Sequence, residues 1–279
     1  MRRFAFALAA VPLLLAISAA PAGAASEARV RLVYLSPDNA LGNIDFYVDG
    51  RRALSNTVFD VESTYLTVSP GQHTFSARPA GSPASSAPSA EVQQSLDANY
   101  YSVFVGGKLG SSSCPVKAVV FNDSLSTPPA GQVLARFVHM APEVPGVDVI
   151  LNDNSSNPPK VLFSNVSCFQ GSSYSAFPAG TYPVALVATG KSDQLFQTSA
   201  PLTQPGAVYT LVGAGGVNQP VQLVRILDAA SAGSAPQGAA ATGVGTTALG
   251  ATLPLGLIVA SLIACALLVL LVRRAPAAV

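Results

Sequence analysis

Charge is what this chain most lacks. Only 10% of its 279 residues are Asp, Glu, Lys or Arg, against roughly 25% in an ordinary soluble domain. The formal net charge is +1 without a basic run, so the phosphate backbone of a nucleic acid finds nothing to hold. Groups suited to catalysis are equally sparse. There are two histidines, His73 and His139, and no Gly-x-Ser-x-Gly elbow, His-Glu-x-x-His helix or phosphate loop. Tryptophan is absent, which excludes the Cys…Trp…Cys core of true immunoglobulin domains. No apolar stripe of helical period runs through the central 200 residues, which excludes a helical bundle. Glycine and proline, 23 and 22 residues, stay short of the roughly 25–30% that marks low-complexity disorder. A chain this poor in convergent acids and bases is expected to bind or to build rather than to catalyse.

What the chain has in abundance is apolar residues, 49% of the total, and much of the excess sits at its ends. Arg2 and Arg3 precede an apolar run from Phe4 to Ile17 and a small-residue stretch ending at Ala22 and Ala24, the pattern of a secretory signal peptide over residues 1–24 cleaved between Ala24 and Ala25. Leu249 to Val272 carries no charge; as a helix rising 1.5 Å per residue it reaches about 36 Å, enough to cross a bilayer. Arg273 and Arg274 follow and act as the stop, which places the tail (273–279) inside and the N-terminus outside. Leu253-Pro254-Leu255-Gly256 and Ala240-Ala241-Thr242-Gly243 approach sortase motifs but depart at the residues such a transpeptidase reads, so wall attachment is the alternative to membrane retention. Residues 229–248 have no charge, no aromatic residue and no period. They are expected to form a flexible stalk holding the folded part on the order of 25 Å from the bilayer. Without the four terminal arginines the exported part carries 11 basic against 14 acidic residues.

The middle repeats itself. Val30-Arg31-Leu32-Val33-Tyr34-Leu35-Ser36-Pro37-Asp38 aligns with Ala135-Arg136-Phe137-Val138-His139-Met140-Ala141-Pro142-Glu143, and Ile44-Asp45-Phe46-Tyr47-Val48-Asp49 with Val147-Asp148-Val149-Ile150-Leu151-Asn152. Tyr65 and Pro70-Gly71 pair with Tyr174 and Ala179-Gly180, and Tyr101–Gly106 with Tyr209–Ala214. Two units follow, 25–127 and 132–228, joined by the stiff hinge Pro128-Pro129-Ala130-Gly131. Period-two alternation marks strands at Arg29–Leu35, Asn43–Gly50, Tyr65–Val68, His73–Arg78, Tyr100–Val105 and Val116–Asn122. In Asn43–Gly50, Ile44, Phe46 and Val48 point to a core and Asp45, Tyr47 and Asp49 to the other face of a half-buried strand. Six or seven strands per unit, with turn residues every 8–12, predict an all-β fold of two tandem immunoglobulin-like antiparallel β-sandwiches followed by one transmembrane helix.

The repeated opening, Ser-Pro-Asp or Ala-Pro-Glu, a short gap, then Ile-Asp-Phe-Tyr-Val-Asp-Gly or Val-Asp-Val, resembles the bacterial domain-of-unknown-function family DUF4397. Arg31–Gly50 and Arg136–Asp153 carry the resemblance, and the second copy departs from it at Ala141, Glu143 and Asp153. It implies a fold and an export route, and no activity.

Few residues invite a chemical role. His73 aligns with Tyr182 and His139 with Tyr34, so the histidines do not repeat, and each is expected half exposed on a sheet. Asp38, Asp45 and Asp49, with Glu143, Asp148 and Asp153, are the candidates for a weak Ca²⁺ site, although Asp in Pro-Asp and Asp-Gly is also what turns prefer and Asp45 is placed to pair with Arg31 or to cap neighbouring backbone. No other cofactor is indicated. Cys265 falls in the membrane segment, which leaves Cys114 and Cys168 as an even pair outside the cell and candidates for a disulfide across the two units. Asn122, Asn154 and Asn165 begin glycosylation sequons, of little weight in a bacterial family. The eight tyrosines offer a contact surface or, more simply, sheet packing. The expectation is a single-pass, membrane-anchored protein at the cell surface, without enzymatic activity, acting as a structural or adhesin-like binding module toward an envelope glycan or protein. A carbohydrate-binding receptor is the alternative, and a surface hydrolase a more remote one.

Overall fold

Strands form wherever β-branched or aromatic residues alternate with small or polar ones and glycine or proline closes the run. The structure, a computed structural model, describes residues 27–124, 126–153 and 158–230. The first repeat holds β1 (Ala28–Tyr34), β2 (Ile44–Val48), β3 (Arg51–Thr57), β4 (Val61–Glu62), β5 (Leu66–Val68), β6 (Gly71–Pro79), β7 (Ala90–Leu96), β8 (Tyr100–Gly106) and β9 (Lys117–Asn122). The second holds β10 (Gln132–His139), β11 (Val147–Leu151), β12 (Val161–Val166), β13 (Ser175–Pro178), β14 (Gly180–Ala188), β15 (Gln194–Leu202), β16 (Val208–Gly216) and β17 (Gln219–Ala229). The described residues contain no helix. The signal peptide, membrane segment and Arg273-Arg274 stop read from the sequence lie outside them, as does the stalk beyond Ala230. Among the described residues no helix is long and apolar enough to cross a membrane.

Each repeat folds as two facing sheets. In the first, β3-β2-β6-β7 opposes β4-β1-β8-β9, with β5 also on β1; in the second, β12-β11-β14-β15 opposes β13-β10-β16-β17. The pairing is antiparallel except that β1 runs parallel to β8 and β10 to β16. Phe46, Phe75, Leu32 and Val103 fill the first core, and Phe137, Val149, Phe163 and Leu186 the second.

A third core joins the repeats. Val33 of β1, Leu35 just past it and Phe104 of β8 turn away from their own sandwich and pack on Val138, Met140, Val212, Ala214 and Ile226 of the second repeat. β1, β8, β10 and β16 are therefore buried on both faces, which is why they read as nearly continuous apolar runs. Both repeats belong to one compact unit. At their junction Gln132 N–H donates to Pro129 O and Ala179 N–H to Gly131 O, both at 3.0 Å.

Three strands of the first repeat depart from the sequence expectation. β3, Arg-Arg-Ala-Leu-Ser-Asn-Thr, is an edge strand whose polar side chains face water. β4 is only two residues long. β7 keeps Ala90 and Leu96 inward, but Gln94 occupies an inward position and hides the alternation. β2 is not half-buried: Asp45 and Tyr47, read as its open face, are 1% and 3% exposed. The β6–β7 loop covers that face. Gly81 N–H donates to Asp45, Arg78 Nε to Ser86 O at 2.9 Å, and the Arg78 guanidinium lies 4.5 Å above the Tyr47 ring.

Candidate functional site

At one end of the seam between the repeats, four charges are sealed from water. Arg31 on β1 and Arg136 on β10 project toward the neighbouring repeat, because Leu32 and Phe137 occupy the inward positions beside them. Arg31, Asp123 and Asp228 are fully buried and Arg136 is 3% exposed. Each arginine is seated by its own repeat: Arg31 Nη2 donates to Ser102 Oγ at 2.8 Å and lies 4.9 Å over Tyr65, while Arg136 Nε donates to Thr210 Oγ1 at 2.8 Å and lies 4.8 Å over Tyr174. Each then pairs with the acid of the other repeat, Arg31 with Asp228 at 2.5 Å and Arg136 with Asp123. The acids are held by their own repeats in turn. Tyr65 Oη and Ser102 Oγ donate to Asp123 at 2.6 and 2.7 Å, and Tyr174 Oη and Thr210 Oγ1 to Asp228 at 2.8 and 2.7 Å. Burial alone opposes the charge on Arg31, but Asp228, Tyr65, Asp123 and Glu62 outweigh it and hold the guanidinium firmly protonated. Burial, reinforced by Asp123, raises the Asp228 carboxyl, and burial raises the Tyr65 and Tyr174 hydroxyls. With its donors committed and its side chains sealed from solvent, this network fastens the repeats; it offers no group to a substrate.

The acidic candidates are scattered rather than gathered. Asp38 accepts from the Ala40 and Leu109 amides at 2.9 and 3.0 Å. Asp45 accepts from the Asn56 and Gly81 amides and from Arg52, not from Arg31, because Asp45 lies on β2 in the sheet opposite β1. Asp49 takes the Thr74 amide at 2.9 Å and His73 Nδ1 at 2.7 Å, and Asp148 the Asn165 amide at 2.7 Å. Glu143 pairs with Lys108 across the repeats, and Asp153 follows β11. Among the described residues no three His, Cys, Asp or Glu side chains are grouped to hold a metal ion.

Both histidines are buried rather than half exposed, 7% for His73 and 1% for His139. Burial opposes protonation of His73, but Asp49 and the Ser69 carbonyl, at 2.7 Å from its two ring nitrogens, outweigh it and raise its pKa. Burial lowers the pKa of His139 against the Pro145 and Val144 carbonyls. The neutral ring donates from Nε2 to Pro145 O at 2.9 Å and accepts the Ala141 amide at Nδ1, bracing the loop after β10. The tyrosines divide similarly. Tyr34, Tyr47, Tyr101 and Tyr209 are buried, and burial pushes the Tyr34 hydroxyl up to about 12.

That braced loop is one wall of a cleft, a space of about 870 Å³ between the repeats. Lys108 to Cys114 of the first repeat form one side, and Pro142 to Gly146 with Ser167 and Cys168 of the second form the other. Cys114 and Cys168 are joined by a disulfide, with Cα atoms 5.9 Å apart. Lys108 and Glu143 meet at the rim, where each secures the other's charge: the hydrogen bond between them raises the lysine and lowers the glutamate. Gly107 shapes the turn. It has φ +92°, and a Cβ there would lie 2.2 Å from Pro115 O.

Sequence reasoning missed Asp123 and Asp228 altogether. The signal was present: Arg31 and Arg136 repeat at a spacing of 105, and so do Asp123 and Asp228, in a chain where charge is scarce. None of the curated proteins matches this chain. The family model for the domain of unknown function DUF4397 matches twice, over residues 28–150 and 136–244, and the chain belongs to that family as two tandem copies.

Proposed function

We propose that this is an exported, membrane-anchored protein of the bacterial cell surface whose two repeats, each an immunoglobulin-like sandwich, form one rigid head that serves as an adhesin-like binding or structural module. The observation that carries the reading is the Cys114–Cys168 disulfide, a bond that persists in oxidising compartments and is rare in the cytosol. The apolar segments at 4–17 and 249–272, the charge-free stalk and the Arg273-Arg274 stop support the same reading. The sealed seam supports rigidity, because a head with one continuous interior presents its loops at fixed spacing. A carbohydrate-binding receptor is the rival within the binding class. A surface hydrolase requires a pair of carboxylates set roughly 5–10 Å apart about a cleft, whereas Asp38, Asp45, Asp49, Glu143 and Asp148 are each engaged with separate groups.

The test is topological. Protease added to intact cells is expected to remove residues 25–248 and to spare a membrane-bound fragment ending in Arg273–Val279, and the mature protein is expected to begin at Ala25. A protease-resistant protein in the soluble cytosolic fraction, with two alkylatable thiols at Cys114 and Cys168, overturns the proposal.

A further inference from the structure

We infer that the cleft between the repeats is a binding site for an extended, uncharged peptide segment, a reading that deepens the binding-module proposal and rests on it. The argument starts from internal symmetry. In a tandem repeat the shared fold is built twice, so a difference between the copies at matching places is not explained by that shared fold. Gly107 and Pro115 of the first repeat correspond to Gly215 and Pro220 of the second. Both glycines have positive φ, and a Cβ on either meets the carbonyl of the matching proline, at 2.2 and 1.9 Å. Between these landmarks the first copy is three residues longer, and its longer turn contributes Ser111, Ser112, Ser113 and Cys114 to the cleft wall. On the facing side the imbalance is reversed. The connection from Met140 to Val147 is two residues shorter than its counterpart from Leu35 to Ile44. A long turn thus stands opposite a short one, and the cleft opens between them. At the symmetry-related place the long loop meets the short hairpin, and Asn39 N–H donates to Asn218 Oδ1 at 3.2 Å. The disulfide falls on the open side alone and fixes the width of the cleft.

The lining selects the ligand. Lys108 and Glu143 neutralise each other at the rim, so neither an anionic nor a cationic polymer meets a free counter-charge. The lining includes no aromatic ring and no Asn or Gln amide, the groups on which sugar rings stack and to which their hydroxyls bind, and this disfavours a saccharide. What the walls present is irregular main chain, serine hydroxyls, and the small apolar surfaces of Pro142, Val144, Pro145 and the disulfide. Neutral hydroxyls beside shallow apolar surfaces suit the amide backbone and small apolar side chains of another polypeptide. The volume lies within the roughly 300–1,000 Å³ of ordinary ligand sites.

The experiment probes the purified, oxidised full chain with an array of random octapeptides, acetylated and amidated to remove end charges, and in parallel with an array of neutral oligosaccharides. The tightest peptide is then titrated against Ser112→Trp, which fills the cleft from an exposed position, and against Gln93→Trp, an equal enlargement on the exposed face of β7. Both variants are expected to melt within about 2 °C of the parent. Ser112→Trp is expected to weaken peptide binding at least tenfold while Gln93→Trp changes it less than twofold. Peptide binding that ignores Ser112→Trp overturns the inference. An oligosaccharide bound by the parent and lost in Ser112→Trp overturns the peptide assignment while leaving the binding-module reading standing, and no cleft-dependent ligand on either array overturns the inference, while the exported, membrane-anchored reading stands or falls by the protease test.

Discussion

Removing Arg31 and Asp228 one at a time, and then together, tests whether the seam is held by exchanged charges. Arg31 is fully buried, with Asp228 at 2.5 Å, Asp123 at 3.5 Å and Glu62 at 3.6 Å. Breaking a buried pair by removing one partner costs about 3–5 kcal/mol, because a desolvated charge is left behind. The two single losses are unequal. In Asp228→Leu the stranded guanidinium cannot shed its proton, which places the cost near the top of that range. In Arg31→Met the stranded carboxyl keeps Tyr174 and Thr210 as donors at 2.8 and 2.7 Å and, with a pKa already raised by burial, escapes by taking up a proton. Its cost is near the bottom of the range. It also carries a pH signature: a carboxyl whose folded pKa is raised stabilises the fold below its unfolded pKa, about 3.9, and loses that contribution as pH rises through the folded value. Arg31→Met is therefore less damaging at pH 5 than at pH 8, and Asp228→Leu shows no such relief. The double variant removes both members of the closest pair at once and keeps Arg136 with Asp123, so its loss falls below that of Asp228→Leu alone, with a coupling of at least about 2 kcal/mol. Urea unfolding of the oxidised protein by circular dichroism reads all three. For a unit of this size about 3–5 kcal/mol corresponds to roughly 6–20 °C in Tm. Single losses under about 1 kcal/mol, or a double loss equal to the sum of the singles, refute the reasoning.

The two histidines give stability opposite pH slopes. The raised pKa of His73 contributes stability in full below about 6.5 that fades as pH rises through the folded value, whereas the lowered pKa of His139 makes the unfolded chain take up its proton first, so stability falls as pH drops below about 6.5. His139→Gln is expected to flatten the acid side of a urea-midpoint profile between pH 8 and pH 5, and His73→Gln to lower the midpoint more at pH 5 than at pH 8; parallel profiles in parent and variants contradict both assignments. Gly107→Ala is expected to cost about 2–4 kcal/mol, since it combines positive φ with an approach of 2.2 Å to Pro115 O. Gly81→Ala, at φ +78° with open space around its Cβ, costs only the roughly 1–2 kcal/mol of the left-handed backbone, and equal losses in thermal melts speak against the steric account. Replacing Cys114 and Cys168 together by serine opens a loop spanning 54 residues of sequence separation and is expected to cost about 4 kcal/mol in the chain-entropy model, read as a lower urea midpoint; an unchanged midpoint argues that other contacts at the seam already impose the constraint.

Alternation made the central strands legible. Leu32, Phe46, Phe75 and Val103 stand at period two, and the sequence places them in strands as the fold does. Edges were harder to read, because an edge strand such as β3 needs no apolar face and carries none. Burial of the second face was also hidden. Arg31 beside Leu32 looks like a solvent residue on a half-buried strand, and only the docking of another sheet makes it an interior one. The same blindness affected one of the two roles read for Asp45, pairing with Arg31, since the two lie on opposing sheets; the other, capping backbone, is what it does for the Asn56 and Gly81 amides. That blindness affected His73 and His139 too, whose acceptors at Ser69 and Pro145 are main-chain carbonyls that carry no sequence signal. Asp123 and Asp228 went unread for a different reason. Asp123 follows β9 directly and Asp228 stands at the end of β17, places where an acid is ordinarily read as a turn residue, and the meaning of each lies in the partner repeat.

That division explains how the charges are deployed. Every repeat carries both halves of the exchange: an arginine set toward its neighbour by Ser102 or Thr210, and an acid set toward its neighbour by Tyr65 or Tyr174. A surface that presents a donor and its complementary acceptor is self-complementary, the property that closes a twofold interface. Apolar contact alone would not fix the register of the seam, because Val33, Leu35 and Phe104 could slide against Val138, Met140 and Val212 with little change in buried area. Two ion pairs at one end cannot slide, since a shift that breaks them leaves four desolvated charges unmatched. The pairs therefore contribute less to net stability than to a single alignment of the repeats. That alignment sets the spacing between the turn after Gly107 and the loop after Met140, where the cleft lies and where the internal symmetry fails.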